Sequence, residues 1–304
     1  VKSRTLTISD IVAESGAQSP ASVKIARFTA SGLGQLDPAR FSADKVEFGD
    51  IEVGVTGLTP TIASLTYKAP QITVKDYSGP TGLPQLPASS SIFELYRFAF
   101  TQLASINAAS VAVPKLTGTL TFSAAAHVGD NAGGTFDYSG LAIESIKDGK
   151  IGSSKTDKVT FAINQQAAAK PIKMTGDVAN IVATDIDVGA MAAMFDPAKA
   201  NDDRDYRIQG HLSAGPYVIT VTPDASTSTP GLNMRIEGVT ADDARINPSR
   251  MQLPALMAMI PPPGSAPPSS AEARQLLEKV AGLYSGFAVG NAEMHGLSFE
   301  TPQG

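Results

Sequence analysis

The sequence contains neither cysteine nor tryptophan. Without cysteine the chain can form no disulfide, zinc–thiolate site, iron–sulfur cluster or thiol nucleophile. The absence leaves the compartment open, because a chain without thiols is stable in reducing and in oxidising surroundings. Aromatic residues make up only 6% of the chain. This composition favours a scaffold of small side chains over an enzyme with a deep aromatic pocket.

Charged residues are scarce as well. They form 17% of the 304 residues, whereas about 25% is usual for a globular domain. The 24 Lys and Arg residues are outnumbered by 29 Asp and Glu residues, and no basic run exceeds two residues. Binding to nucleic acid requires clustered cations that neutralise phosphates. We therefore expect neither a nucleic-acid partner nor a polybasic contact with an anionic membrane surface.

Long apolar runs are missing too. No run reaches the ~18–20 residues of a transmembrane helix, and the longest, at 253–260, is interrupted by Pro254. We therefore predict no transmembrane segment. The chain begins at Val1, which fits either a cleaved signal peptide or a trimmed chain. Together with the cysteine-free, Ala-, Ser- and Thr-rich composition, this start predicts a periplasmic or otherwise exported protein.

The sequence is rich in segments that alternate apolar and polar residues. This period of two is typical of strands with one buried face and one wet face, and hence of antiparallel sheet. We predict an α+β protein dominated by β-structure, in which twisted antiparallel sheets are covered by a few amphipathic helices. The clearest strand segments are 45–55, 64–77, 115–122, 157–163, 217–223 and 232–239.

Two predicted helices begin alike. Ser91 is followed three residues later by Glu94, and Ser269 is followed by Glu272 at the same spacing. Each pair forms a capping box, after which apolar residues recur at helical spacing. Shorter helices are predicted at 188–195 and 253–260, where proline lies at or just beyond an end.

The resemblance of the two helix starts predicts a diverged tandem repeat. The interval between Ser91 and Ser269 also separates Gly118 from Gly296. The predicted organisation is a first strand–helix unit over 1–122, a β-rich segment with a short helix over 123–204, and a second strand–helix unit over 205–304. The alternative is one continuous elongated domain.

No catalytic or metal-binding motif is present. Among His127, His211 and His295, the only carboxylates at metal-ligand spacing are Asp130 after His127 and Glu293 before His295, and no HExxH or HxH pattern occurs. The chain also has no GxSxG or phosphate-binding loop. Segment 151–158 is predicted to form a turn between strands. Segment 201–205 starts like a calcium loop but lacks its glycine and its final glutamate, which predicts a solvated turn.

We assign no catalytic residue, cofactor or metal, so the pattern favours a protein that is not an enzyme.

The apolar helices are the remaining candidates for a site. Methionine adapts to varied apolar ligands, and it clusters on the two short predicted helices. One interpretation is a groove between helix and curved sheet that accepts an acyl chain; the other is plain core packing of helix on sheet. The candidate ligand-binding residues are Phe93, Tyr96, Phe100, Met191, Met194, Met257 and Met259.

The sequence leaves three functions open. The first is a non-catalytic envelope protein that binds or shelters a hydrophobic, lipid-like ligand. The second is a structural or protein-interaction scaffold built of repeats, with an envelope protein as its partner. The third is a hydrolase whose site assembles in space around His127 or His211.

Overall fold

The computed structural model describes residues 4–14, 21–56, 62–82, 92–122, 132–165, 172–223, 231–259 and 269–301. The strands are β1 (Thr5–Glu14), β2 (Ala21–Ser31), β3 (Gly34–Asp37), β4 (Arg40–Thr56), β5 (Ile62–Pro80), β6 (Ala108–Phe122), β7 (Gly133–Lys147), β8 (Lys150–Gln165), β9 (Ile172–Asp187), β10 (Tyr206–Ala214), β11 (Tyr217–Pro223), β12 (Leu232–Ile236), β13 (Gly238–Ile246), β14 (Phe287–His295) and β15 (Ser298–Glu300). The helices are α1 (Ile92–Ser105), α2 (Val188–Ala193), α3 (Pro248–Met251), α4 (Leu253–Ala258) and α5 (Ser270–Ser285), with a 3₁₀ turn at Pro197–Lys199.

The fifteen strands of the described residues form one antiparallel sheet that forks at β9. From β1 the order runs through β2, β4, β5, β6, β7 and β8 to β9. Beyond β9, one branch continues through β10 and β13 to β14, and the other through β11 and β12 to β15. The short strand β3 pairs only with β4. Among the described residues, the edge strands of the sheet are therefore β1, β3, β14 and β15.

The predicted β-dominated fold with an antiparallel sheet and few helices is confirmed. Segment 217–223 coincides with β11, while most other strands are longer than their predicted cores. The predicted turn at 151–158 is wrong, because these residues lie inside β8 and pair with both β7 and β9. Each of the four predicted helices overlaps a helix in the structure.

The tandem repeat is not confirmed. Strands from all three predicted segments belong to the same sheet. The elements that precede the two long helices also differ, because α1 follows β5 whereas α5 follows the short helices α3 and α4. The proposed division of the chain therefore stays a prediction.

Two apolar clusters hold the helices to the sheet. In the larger one, Val46, Val74 and Ile151 are buried beneath Phe100 and Leu103. The Phe100 ring stacks on Phe195, with ring centroids 5.7 Å apart. In the smaller cluster, methionines in α2 and just beyond it pack on buried residues of β10 and β13. The larger cluster includes the start of β6 and packs against the end of β9, whereas the smaller cluster joins α2 to β10 and β13.

Single residues in a left-handed backbone conformation interrupt the strands. Asp10, Asp50, Asn180 and Asp243 have φ between 50° and 55°. The apolar pattern changes phase at Asp50: in β4 the apolar residues Val46 and Phe48 lie at even positions before it, whereas Ile51, Val53 and Val55 lie at odd positions after it. Asp and Asn adopt this conformation more readily than other L-residues because their short polar side chains can hydrogen-bond locally.

We predict that Asp50→Ala lowers the free energy of unfolding by about 1–2 kcal/mol, because alanine is strained in the left-handed region. Asp50→Gly avoids that strain and is expected to be close to wild type. Asp137→Ala is the matched control, since Asp137 lies in β7 without a positive φ. Urea unfolding measures all three, and an Asp50→Ala loss no larger than that of Asp137→Ala would refute the explanation.

Candidate functional site: the apolar face of the sheet

Cross-strand pairing traces uninterrupted rows of apolar side chains. Directly opposed residues of antiparallel strands place their side chains on the same face of the sheet. The first row contains Ala13, Val23, Val53, Tyr67, Gly118, Phe136, Phe161, Gly176, Ile219, Met234 and Phe299. The second contains Ala21, Val55, Leu65, Leu120, Gly134, Ile163, Met174, Val221 and Leu232. The third contains Leu116, Tyr138, Val159, Val178, Tyr217 and Ile236.

We call these three rows the apolar face. Neighbouring rows are two residues apart, or about 7 Å, and successive strands are about 4.8 Å apart. The second row crosses nine strands, so the face measures roughly 38 Å by 14 Å. A footprint of this size is comparable with the largest contiguous apolar patches of monomeric proteins, about 300–600 Å², which are often functional.

The opposite face of the same strands is polar. Residues that alternate with the apolar rows include Glu52, Lys68, Asp137, Thr160 and Asp177. Glu52 and Lys68 form a salt bridge of 2.9 Å, and this hydrogen bond from Lys68 lowers the pKa of Glu52. The sheet is therefore amphipathic here, with charge on one face and none on the other.

The apolar face is only half-buried. Tyr67, Phe136, Phe161, Ile219 and Met234 are all of intermediate exposure. None of them belongs to the two clusters beneath the helices. The described helices therefore bury a different part of the sheet and leave these side chains partly open.

Glycines in the rows make room for aromatic rings. A Cβ on Gly118 would lie 3.0 Å from the Tyr67 ring, and one on Gly176 would lie 2.7 Å from Phe161 and 2.5 Å from the Val218 carbonyl oxygen. The rings consequently lie over the neighbouring backbone, which smooths the face. A side chain in place of Gly176 would therefore clash with backbone, whereas one in place of Gly118 would require the Tyr67 ring to shift.

The residues predicted to bind ligand lie elsewhere, so far as they are described. Phe100 stacks on Phe195 between α1 and α2, and Met191 and Met194 pack against the smaller cluster. Met259 follows α4 and is half-buried. The backbone of α1 includes Phe93 and Tyr96 and that of α4 includes Met257, but these three side chains are outside the described part. A ligand role for this set stays a prediction.

The histidines give a single polar pair among the described residues. Nδ1 of His211 lies 2.6 Å from Oδ1 of Asp242 on the neighbouring strand, and both side chains are more than two-fifths exposed. His295 lies on the exposed edge strand β14, and His127 is outside the described residues. A hydrolase centred on His211 would therefore act through a pair that is exposed on the sheet.

The acidic segment 201–205 is a loop held by side-chain hydrogen bonds. The side-chain amide of the buried Asn247 donates to Asp203 and Asp205. Hydrogen bonds from Arg204, and then from Tyr206, hold the pKa of Asp202 well below its ordinary value. These carboxylates are satisfied by protein donors, and no cluster of three or more metal-ligating side chains occurs within the described ranges.

Comparison with protein-family models, with curated proteins and with solved structures found no match for the chain. Within the part of the chain that the structure describes, no helix has both the length and the hydropathy required to cross a membrane.

Sequence reasoning recognised the strands of the apolar face but not the face itself. Val53, Tyr67, Phe161 and Ile219 all lie in segments whose alternation predicted a strand with a buried side. Their alignment into rows depends on long-range pairing, which alternation alone does not specify. The missed local signal was glycine at an apolar position of a strand, as at Gly118 in β6.

We predict that Gly176→Ala destabilises the protein, because its new Cβ would clash with the Val218 carbonyl. Gly49→Ala is the control, since its Cβ would meet Arg27 at an ordinary 3.7 Å and alanine stabilises a strand by about 0.5–1 kcal/mol relative to glycine. Relative to wild type, the melting temperature should fall for Gly176→Ala and should stay equal or rise for Gly49→Ala. Equal shifts in melting temperature would contradict the packing role of Gly176.

Proposed function

We propose that this protein is a non-catalytic binding protein that holds a lipid-like hydrophobic molecule against the apolar face. The observation that carries the proposal is the set of continuous apolar rows, two of which cross nine or more strands, half-exposed and backed by a charged surface. An antiparallel sheet in water can leave its polar face wet, but its apolar face requires a cover. A hydrophobic ligand supplies that cover.

The form of the apolar face suits an elongated chain. Its rows run across the strands without a charged residue, so a flexible hydrocarbon can make apolar contacts along its whole length. Burial of apolar surface stabilises by roughly 25 cal/mol per Å². A charged head group would remain at an end of the face or in solvent, where it keeps its hydration.

The proposal also includes the compartment of the protein and the repeat organisation of its chain. The cysteine-free, low-charge composition supports a periplasmic or otherwise exported protein of the cell envelope. A diverged repeat remains part of the proposal, supported by the order helix then strand at both long helices, α1 before β6 and α5 before β14.

The second candidate function is a protein-interaction scaffold. It is favoured by the exposed apolar side chains along the edge formed by β14 and the adjoining α5. Leu277 and Tyr284 on α5 are 69% and 81% exposed, and Phe287 and Met294 on β14 are 48% and 58% exposed. An unpaired edge strand is a template for an added strand from a partner.

We expect Phe161→Asp to abolish binding of a fluorescent fatty acid, because it places a charge in the centre of the first row. Thr160→Asp is the matched control, since it adds the same charge to the adjacent, polar position of β8. Fluorescence titration should show saturable binding by wild type and by Thr160→Asp. Native mass spectrometry of the purified protein should show mass from a co-purified lipid.

Two results would overturn the proposal. One is wild-type protein that shows neither co-purified lipid nor saturable fatty-acid binding. The other is equal affinity of the Phe161→Asp and Thr160→Asp variants, when circular dichroism shows both to be folded. Phe161→Ser provides an uncharged test of the same position if the aspartate variant fails to fold.

If the scaffold alternative holds, sedimentation velocity should show a fraction of self-associated protein that increases with protein concentration. Met294→Lys should weaken this association, because a charge on an edge strand opposes pairing. Arg274→Lys on the exposed surface of α5 is the control. A protein that stays monomeric over the whole accessible concentration range would count against self-association through this edge.

A further inference from the structure

A separate cleft lies between α1 and α2, away from the apolar face. It has a volume of about 490 Å³, within the range of about 300–1,000 Å³ typical of small-molecule sites. One wall is the exposed side of α1, and the other is formed by α2, the 3₁₀ turn and the start of β10. The residues that line the cleft include Arg97, Phe98, Ala192, Asp196, Lys199 and Tyr206.

The charges in the cleft favour an anion. Arg97 and Lys199 stand on different walls. Among the described residues, the Arg97 guanidinium has no ion-pair partner, so its donors are available. The acidic side chain in the lining, Asp196, caps the 3₁₀ turn by accepting from the Ala198 amide at 3.0 Å. The cleft thus presents two cations and one carboxylate that is already hydrogen-bonded.

The donors of Lys199 are only partly used. Its Nζ donates to the Tyr206 hydroxyl at 3.3 Å and lies 3.8 Å from Asp202. Asp202 in turn accepts shorter hydrogen bonds of 2.6 Å from Arg204 and from Tyr206. An ammonium group has three donors, so Lys199 retains capacity for an anion in the cleft.

The rest of the lining fits a compact apolar body. Gly189, Ala192 and Ala193 provide a wall of small residues, and Phe98 adds an aromatic ring. Arginine binds carboxylates and phosphates through paired N–H donors, and lysine adds a point charge. We infer that this cleft binds a small organic anion, a carboxylate or a phosphate monoester carried on an aromatic or short apolar group.

Isothermal titration calorimetry on the full chain tests this inference with phenyl phosphate, benzoate and the neutral analogue benzyl alcohol. We expect at least one anion to bind with Kd below about 1 mM and benzyl alcohol not to bind. Arg97→Gln should weaken that anion about tenfold, equivalent to about 1.4 kcal/mol, and Lys199→Gln should act in the same direction. Comparison of the two anions identifies the preferred head group.

The controls separate this site from other effects. Arg274→Gln removes an exposed helical arginine, paired with Glu278, and should bind like wild type. Phe161→Asp, on the apolar face, should also leave the anion affinity unchanged, so this inference can fail independently of the proposed function. The inference is overturned if neither anion binds, if benzyl alcohol binds as tightly as the better anion, or if Arg97→Gln matches Arg274→Gln.

Discussion

Cross-strand register is the constraint on which the structure depends. In β7 and β8, the register that pairs Phe136 with Phe161 also pairs Gly134 with Ile163 and Tyr138 with Val159. A slip of one residue would place Thr160 opposite Phe136 and mix charge into the apolar rows, because side chains alternate between faces. Since each strand is paired on both sides across most of the sheet, one register fixes the next. The apolar face is the cumulative result.

The long strands are used differently along their length. Near α1 and α2, Val46, Val74 and Ile151 are buried beneath helical side chains. Beyond the left-handed residues the apolar pattern changes phase, and the rows that include Phe136 and Phe161 are left half-exposed. The same amphipathic sheet thus provides a packed core in one part and, in our proposal, a ligand surface in the other.

Local sequence patterns predicted the local elements well. Alternation identified β11, and serine–glutamate spacing with an apolar stripe located α1 and α5. Two kinds of feature were not predicted from the sequence. The segment around Ser153 has turn-forming residues yet lies in β8, where pairing on both sides outweighs propensity. The apolar face was missed because register is a long-range property, while aromatic and methionine residues on helices drew the interpretation toward elements such as Phe100, which packs internally.

The most direct test of the central claim is to locate the ligand on the protein. A photoreactive fatty acid, cross-linked to the purified chain and mapped by mass spectrometry of its peptides, reports which residues touch the hydrocarbon. The account predicts cross-links on the apolar face, at β5, β7 and β8 around Tyr67, Phe136 and Phe161. Cross-links confined to the helices, or spread over the polar face with no competition from unlabelled fatty acid, would contradict it.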